Sequence, residues 1–288
     1  MDGFLLIDKP PGPSSFAVVN TVRRMFGCGK AGHSGTLDPQ ASGLLIVALD
    51  AATRLLAYLP GEPKRYSFGM QFGSQTDTLD KEGKIVTEGG RVPSEEEVEA
   101  ACVRFIGEQL QTPPKFSAVK ADGKRAYARA RNNEEFELKQ KTVAIFALAL
   151  VKYDPAAGIA ECDMTCSRGT YVRALVRDVA AALETVAYAS FIRRTEIGPF
   201  TVQDALDFTR IGPESERRIL PVAKALAAMP SVVLGKDQCE PLLYGKDIRC
   251  GSAAAETVIA YAENGDVAAV LKRSENGMFH PEKVFLRG

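Results

Sequence analysis

The sequence has little of what most protein metal centres require. Its 288 residues include only two histidines, His33 and His280, and the six cysteines never form a CxxC pair. Structural zinc sites combine Cys and His ligands at close spacing, so we expect no metal in this protein. Cys162, Met164 and Cys166 alternate with polar residues, which instead predicts one buried strand face where free thiols act as small hydrophobic side chains.

Long hydrophobic runs are also missing. The longest purely apolar run, residues 143–151, is nine residues long, whereas a membrane-spanning helix needs about 20. Residues 4–7 form a short apolar run with no basic segment before it, so a secretory signal is not expected. We therefore predict a soluble, cytoplasmic protein without a membrane partner.

Charge of one sign is not in excess, because 36 basic residues balance 36 acidic ones. The distribution is uneven: residues 115–141 carry eight basic and four acidic residues, and residues 168–194 carry five and two. Two local basic stretches in a neutral chain favour a focused phosphate-binding surface. Either stretch alone is equally typical of a solvated charged face.

The pattern of apolar residues predicts an α+β fold with a mixed, mostly antiparallel central sheet flanked by helices and loops. A strand signal is clear where Tyr66, Phe68, Met70 and Phe72 alternate with polar or small residues. Helices are expected at residues 51–59 and, after a capping box formed by Ser94 and Glu97, in the segment that follows.

The chain is long enough for one large and one small domain. The sequence pattern changes near residue 229, and this change divides the chain into residues 1–228 and residues 229–288. In the second part, Asn264-Gly265 lies between two short apolar runs and signals a type I′ β-hairpin. We expect a small, β-rich second domain.

The most informative stretch is a glycine-rich loop that carries one acid, Asp38. Glycines at 29, 32, 35 and 43 allow the backbone to approach a ligand closely. An Asp-Pro pair alone would indicate only a turn.

From Gly32 the loop reads GHSGTLDPQASG, and here the chain resembles the bacterial-type tRNA pseudouridine synthase B family, whose signature is GHxGTLDPxAxGxL. Five further blocks follow the family's order, so the resemblance covers roughly residues 3–210: 3–15, 64–83, 113–127, 166–173 and 192–200. Any one block would be weak, but six in order are specific. Residues 242–248, LLYGKDI, also look like part of the PUA module that commonly ends this family.

The resemblance implies a fold, a reaction and a partner. The fold would be that of a pseudouridine synthase followed by a small β-barrel-like PUA domain that binds RNA. The enzyme would be an isomerase that flips the uridine at position 55 out of the T loop of elongator tRNAs and converts it to pseudouridine, without a cofactor. The partner would be the T arm of tRNA, with no obligate protein partner, and the protein would be a monomer.

The resemblance also assigns the catalytic residues. Asp38 would be the carboxylate that acts on the ribose or the base, and Pro39 restricts its backbone. Tyr66 would stack on the uracil and serve in the proton removal at carbon 5. Arg173 would hold Asp38 ionised and oriented, as a fixed guanidinium can. Without the family, Tyr66 would be read as a core aromatic and Arg173 as a surface arginine.

Further positions match the family's substrate contacts. Tyr171 and Ile192 would line the pocket, and Ile192 replaces the usual leucine with nearly the same volume. His33 would stack in place of the flipped base. The remaining candidates for contact with the RNA are the loop glycine and lysines that could bind phosphates: Gly35, Lys9 and Lys64.

The chain departs from the family at three other positions. Asp50 stands where a glycine is usual, Phe116 replaces a tyrosine, and Arg168 replaces a lysine. Phe116 lacks a hydroxyl, which puts any RNA hydrogen bond there in doubt. Asp77 and Asp80 lie in the family's TDTxD block, and we favour a structural role for both because such acids brace turns.

Three other functions fit part of the sequence. One is a related synthase that works inside a guide-RNA particle and depends on partner proteins; the short chain without basic tails argues against it. Another is a tRNA-binding chaperone in which isomerase activity is minor or lost. The third is a general RNA-binding protein, in which the catalytic blocks would have no purpose.

Overall fold

The computed structural model describes residues 2–121, 123–132, 134–251 and 255–286. In these ranges the strands are β1 (Gly3–Lys9), β2 (Ala31–His33), β3 (Ser42–Leu49), β4 (Lys64–Phe72), β5 (Ser74–Thr76), β6 (Ile85–Glu88), β7 (Gly107–Gln111), β8 (Lys120–Ala121), β9 (Lys124–Arg125), β10 (Lys141–Asp154), β11 (Ile159–Cys166), β12 (Ala187–Ile197), β13 (Phe200–Thr201), β14 (Leu206–Asp207), β15 (Ser231–Leu234), β16 (Thr257–Ala262), β17 (Val267–Arg273) and β18 (Phe279–Val284).

The α-helices of the described ranges are α1 (Ser15–Met25), α2 (Glu95–Arg104), α3 (Ala126–Arg131), α4 (Val172–Ala182), α5 (Val222–Ala225) and α6 (Lys236–Leu243). Short 3-10 helices lie at Asp50–Tyr58, Val202–Asp204, Phe208–Arg210 and Pro213–Arg218. No helix of the described residues is both long and apolar enough to cross a membrane.

A large mixed sheet forms the centre of the molecule. Its order is β14-β1-β3-β12-β4-β11-β10-β7, with β2 paired to β3 and β13 paired to β12. The pairs β1–β14 and β3–β12 are parallel, and the other pairs are antiparallel. The predicted α+β class with a mostly antiparallel sheet is therefore confirmed.

One face of this sheet is covered by α2 and α4. The alternating residues of β4, Tyr66 to Phe72, are buried there, as are Cys162, Met164 and Cys166 of β11. Both strand-face predictions are thus confirmed. The predicted capping box is also present, since Ser94 and Glu97 bond reciprocally at the start of α2.

A second sheet, β15-β16-β17-β18, carries α6 at its side. Its Ile259 and Val270 pack into the same hydrophobic cluster as Phe4 and Leu44 of the central sheet. The two sheets therefore share buried apolar surface, which stabilises their association. The division at residue 229 and the assignment of a PUA module stay predictions.

Two local expectations are confirmed in position but not in detail. The segment expected as a helix at residues 51–59 is a 3-10 helix, Asp50–Tyr58. It starts at Asp50 with a positive φ of 45°, a conformation that glycine adopts without strain. Asn264-Gly265 does join two antiparallel strands, but Gly265 has a φ of 84° while Asn264 has no positive φ, so the turn is not type I′.

Candidate active site

Asp38 lies in a loop that is fixed from both sides. The loop, residues 34–41, joins the antiparallel strands β2 and β3. The amide of Leu37 donates to Oγ of Ser15 at 2.8 Å, and this hydroxyl donates back to the carbonyl oxygen of Leu37 at 2.9 Å. The amide of Ala41 donates to the carbonyl oxygen of Asp38 at 3.0 Å. The backbone that presents the Asp38 carboxylate is therefore held against α1.

The Asp38 carboxylate forms an ion pair with Arg173. Nη2 of Arg173 lies 2.8 Å from Oδ2 of Asp38, and the arginine side chain is only 3% exposed. The guanidinium also donates to the carbonyl oxygens of Thr78 at 2.7 Å and Phe116 at 2.9 Å, and Nη1 lies 3.4 Å from Oδ2 of Asp80. With these partners the guanidinium is fixed in one orientation.

The two carboxylates beside Arg173 differ in exposure. The side chain of Asp38 is 32% exposed, whereas that of Asp80 is 7% exposed. Burial raises the pKa of Asp38 above its usual value; Arg173 opposes this shift and the charge of Asp80 adds to it. Asp38 is thus the carboxylate that reaches the solvent, and Asp80 lies behind it.

Local sequence explains the position of Arg173 at the start of α4. Gly169 adopts a φ of 84° in the turn that precedes the helix, a conformation that glycine adopts without strain. Gln111 then fixes Tyr171, because its Oε1 accepts from the Tyr171 amide at 2.8 Å and its Nε2 donates to the Tyr171 carbonyl at 3.1 Å. Arg173 follows in the first helical turn and points to the loop of Asp38.

A cavity of about 240 Å³ opens beside the ion pair. The structure brings six of the expected site residues together around it: Asp38, Lys64, Tyr66, Tyr171, Arg173 and Ile192. They come from four separate parts of the chain. The cavity combines apolar and aromatic walls with one carboxylate and two basic side chains, which is the composition of a site for a small organic group.

Tyr66 forms one wall of the cavity and is 7% exposed. Burial raises the pKa of its hydroxyl, while the charge of Arg194 acts in the opposite direction. Tyr66 lies opposite Arg194 in the β4–β12 pair, and Ile192 lies opposite Phe68. The phenol is therefore neutral at neutral pH, next to a fixed cation.

His33, at the end of β2, and Gly35, in the loop that follows, lie outside the lining of the cavity. His33 ends β2, and its buried Nδ1 atom has no hydrogen-bond partner among the described residues. Burial lowers the pKa of His33, and the charge of Arg194 lowers it further. At Gly35 the space is limited, because a Cβ atom would lie 3.3 Å from Nζ of Lys64.

Lys9 does not lie where a phosphate could reach it. Its side chain is fully buried, and Nζ donates to the carbonyl oxygens of Pro10, Pro13 and Pro39 at 2.9, 2.9 and 3.0 Å. Burial lowers its pKa to about 8. Since all three ammonium protons are used, the geometry does not support the expected phosphate contact. Lys9 instead holds the backbone after Asp38.

Sequence reasoning missed Arg194, which is fully buried under the same loop. Its Nε donates to the carbonyl oxygen of Leu44 at 2.8 Å, Nη2 to that of Gly35 at 3.1 Å, and Nη1 to that of Thr36 at 3.5 Å. The backbone of Arg194 also contacts Gly43 so closely that a Cβ there would lie 2.2 Å from the Arg194 carbonyl oxygen. Strand periodicity after Ile192 could have placed Arg194 on the buried face.

Both acids of the TDTxD block stabilise a turn, and Asp80 also contacts Arg173. Oδ1 of Asp77 accepts from the Lys84 amide at 2.9 Å. Oδ1 of Asp80 accepts from the Thr78 hydroxyl at 2.7 Å and from the Glu82 amide at 3.1 Å. The structural reading holds for both residues, but Asp80 also faces Arg173.

The basic stretch 115–141 falls partly outside the described residues, which omit 122 and 133. In the described part, Arg129 pairs with Glu134 at 3.0 Å and lies 4.8 Å from the ring centroid of Phe136. Arg131 lies 5.9 Å from that of Tyr127. These cations are stabilised on aromatic faces. Among the described residues, no three His, Cys, Asp or Glu side chains are grouped so that they could hold a metal.

Comparison with known proteins identifies relatives of this chain. The family model for the N-terminal domain of TruB family pseudouridylate synthases matches residues 23–172. The tRNA pseudouridine synthase B of Caldanaerobacter subterraneus is 39% identical over 287 residues, which cover 99% of both chains. That of Roseobacter denitrificans is 38% identical and covers 99% of this chain and 95% of the relative.

Two solved structures share the fold. An H/ACA RNP bound to a substrate RNA containing 2′-deoxyuridine has a chain that is 23% identical, with a TM-score of 0.73 and coverage of 99% of this chain and 85% of that one. A Cbf5-Nop10-Gar1 complex gives 24% identity and the same TM-score and coverage. The fold and the site define a pseudouridylate synthase. More narrowly, the chain belongs to the TruB family of these enzymes.

Proposed function

We propose that this protein isomerises the uridine at position 55 in the T loop of elongator tRNAs to pseudouridine, in the cytoplasm and as a monomer. The single observation that carries the proposal is the ion pair between Asp38 and Arg173 at the wall of the cavity. Relatives of nearly the full length of this chain are named for a tRNA synthase. These likenesses support tRNA rather than another RNA as the substrate.

The geometry supports a role for each group. Asp38 acts on the bound uridine, whether it attacks the sugar, adds to the base or assists elimination. Arg173 stabilises the ionised carboxylate and prevents its rotation. Tyr66 and Ile192 enclose the detached uracil, which must stay bound while it turns. These walls would keep the base within reach of the ribose from which it was released.

The target base has to leave the RNA stack to reach this cavity. His33 lies at the end of β2, next to the loop, and its lowered pKa makes it a neutral ring at neutral pH. A flat, uncharged ring can replace the stacking that the extruded base leaves behind. In this proposal, residues 229–288 form a PUA-like domain that adds RNA contacts outside the T loop.

The test is release of tritium from tRNA transcripts labelled at carbon 5 of uridine, with purified protein and EDTA in the buffer. The wild-type chain should release tritium without added protein, and Asp38→Asn should not. Asp8→Asn is the matched control, because Asp8 pairs with Arg193 at 2.7 Å but does not line the cavity. Release from the control shows that loss of an aspartate–arginine pair elsewhere is tolerated.

The other functions give different results. Binding of tRNA without tritium release from any variant would contradict the synthase and favour a chaperone. Release that required added proteins and a guide RNA would contradict action by the chain alone. Release from full-length tRNA but not from a T-arm hairpin would contradict the idea that the arm suffices.

A further inference from the structure

The ammonium group of Lys64 faces the loop that carries Asp38. Nζ of Lys64 lies 3.3 Å from the point where a Cβ atom of residue 35 would sit, and Nη1 of Arg194 lies 3.8 Å from that point. Lys64 stands two residues before Tyr66 in β4, and both side chains border the cavity. In the described ranges, neither a hydrogen bond nor an ion pair occupies the Lys64 ammonium.

The surroundings of the loop carry surplus positive charge. Four basic side chains face two carboxylates, which leaves an excess of two positive charges: Lys9, Lys64, Arg173 and Arg194 against Asp38 and Asp80. Arg173 is paired with both carboxylates, and Lys9 and Arg194 are bonded to carbonyl oxygens. Lys64 is the member of this group that remains available to a ligand. Positive charge held out of water without a counter-charge favours the binding of an anion.

We propose that Lys64 binds a backbone phosphate next to the flipped uridine, at the edge of the cavity that Lys64 lines together with Asp38 and Tyr66. This inference rests on the proposed function, because the phosphate arrives with the nucleotide that Asp38 acts on. A phosphate contact at Lys64 and the ion pair at Asp38 would hold the ribose between them. Such a contact fixes the position of the nucleotide without reading its base.

The pKa of Lys64 makes this contact detectable through the pH dependence of tRNA affinity. Burial, together with the charge of Arg194, lowers the pKa of Lys64 to about 8; Cys166 and Glu62 oppose the shift and Arg168 adds to it. A bound phosphate stabilises the protonated amine and so raises its pKa. RNA binding therefore takes up a proton at alkaline pH, and affinity should fall as pH rises above about 8.

The experiment compares Lys64→Ala and Lys64→Arg with wild type by tRNA affinity at several salt concentrations and by single-turnover tritium release. Lys152→Ala is the matched control, because Lys152 also lies on a strand but is 69% exposed and faces Glu161. Lys64→Ala should raise Kd roughly tenfold and reduce the salt slope by about one. Lys64→Arg should retain most of the affinity. Equal Kd values for Lys64→Ala and Lys152→Ala would show that the subsite does not exist.

The pH dependence of tRNA affinity in Lys64→Arg separates the contribution of Lys64 from that of Lys9, whose pKa is also about 8. In Lys64→Arg the side chain stays charged at pH 9, so the part of the alkaline loss of affinity that is due to Lys64 should vanish. Lys9 is unchanged in this variant and its contribution remains. An alkaline loss identical in wild type and Lys64→Arg would contradict the proposal.

The source of the phosphate is tested with T-arm hairpins in which single phosphates next to the target uridine are replaced by neutral methylphosphonates. If Lys64 contacts one of these phosphates, its replacement should lower the affinity of the wild-type protein for the hairpin by about the same factor as Lys64→Ala does. The same replacement should have little further effect on the affinity of Lys64→Ala. Fully additive effects at every position would overturn the contact. If inorganic phosphate stabilised the wild-type protein against thermal unfolding while no methylphosphonate changed its affinity for the hairpin, the subsite would belong to a free anion instead.

Gly35→Ala moves the ammonium without removing its charge, since the new methyl group would lie 3.3 Å from Nζ. Gly35→Ala should raise Kd for tRNA while thermal unfolding stays unchanged. It replaces Lys64→Ala as the test if Lys64→Ala does not fold. A wild-type protein that binds tRNA but releases no tritium would overturn the proposed function. Affinity differences between the Lys64 variants would still be measurable in that case, so the two failures are distinguishable.

Discussion

Asp80 lies against the arm of the Arg173 guanidinium that points away from Asp38, with Oδ2 of Asp80 3.4 Å from Nη1. This buried acid therefore helps to hold the guanidinium that faces the reaction. We expect Asp80→Asn to fold and bind tRNA normally but to react up to roughly 100-fold more slowly, because a small displacement of a catalytic group is enough for such a loss. Single-turnover tritium release measures this, and a rate within twofold of wild type would contradict it.

The acidic limb of the pH–rate profile should also move in Asp80→Asn. The negative charge of Asp80 contributes to the raised pKa of Asp38, so its removal lowers that pKa. If Asp38 acts as a carboxylate, activity is lost as pH falls through its pKa, and the limb should shift to lower pH in the variant. A shift to higher pH would show that another group controls this limb.

Arg173 should matter for stability as well as for rate. Its replacement by methionine leaves the buried Asp80 and the partly exposed Asp38 without a counter-charge. Breaking a buried pair in this way should cost about 3–5 kcal/mol of unfolding free energy. Denaturation in urea measures this value. Arg177→Met is the control on the same helix, because Arg177 is 27% exposed and pairs with its neighbour Asp178. An equal loss in both variants would contradict the special role of the buried pair.

Arg194 provides a comparison with its partly exposed neighbour Arg193. Arg194→Lys keeps the charge but cannot reach the carbonyl oxygens of Leu44, Gly35 and Thr36 together, because an ammonium lacks the planar fork. We expect a rate loss of roughly tenfold or more, with tRNA affinity nearly unchanged. Arg193→Lys, which changes the residue paired with Asp8, should leave the rate unaltered.

The sequence motifs predicted most of the residues of the site. They did not predict the contacts between residues that are far apart in the chain. Six motif residues do converge on the cavity, and strand periodicity placed Tyr66, Cys162 and Cys166 on a buried face. Lys9 was expected at a backbone phosphate, where a lysine positions RNA without reading its sequence. Two of its three carbonyl partners, Pro10 and Pro13, are near it in sequence, but the third, Pro39, belongs to the loop of Asp38, and the local pattern does not reveal it. The partners of Arg194 are 150 to 159 residues away, so strand periodicity could place this arginine on a buried face but could not reveal what it contacts.

The last prediction concerns the ring of His33. Because burial and Arg194 lower its pKa, His33 is neutral at neutral pH, and a stacking role needs only its flat face. His33→Phe should therefore retain much more activity than His33→Ala, which should lose roughly tenfold or more since stacking on a base contributes about 1–3 kcal/mol. Single-turnover tritium release at pH 7.5 checks the order of the two variants, and their melting temperatures control for folding. Equal losses would mean that the imidazole nitrogens, not the ring face, are needed. Nδ1, which has no hydrogen-bond partner among the residues that the structure describes, would then be the atom to examine.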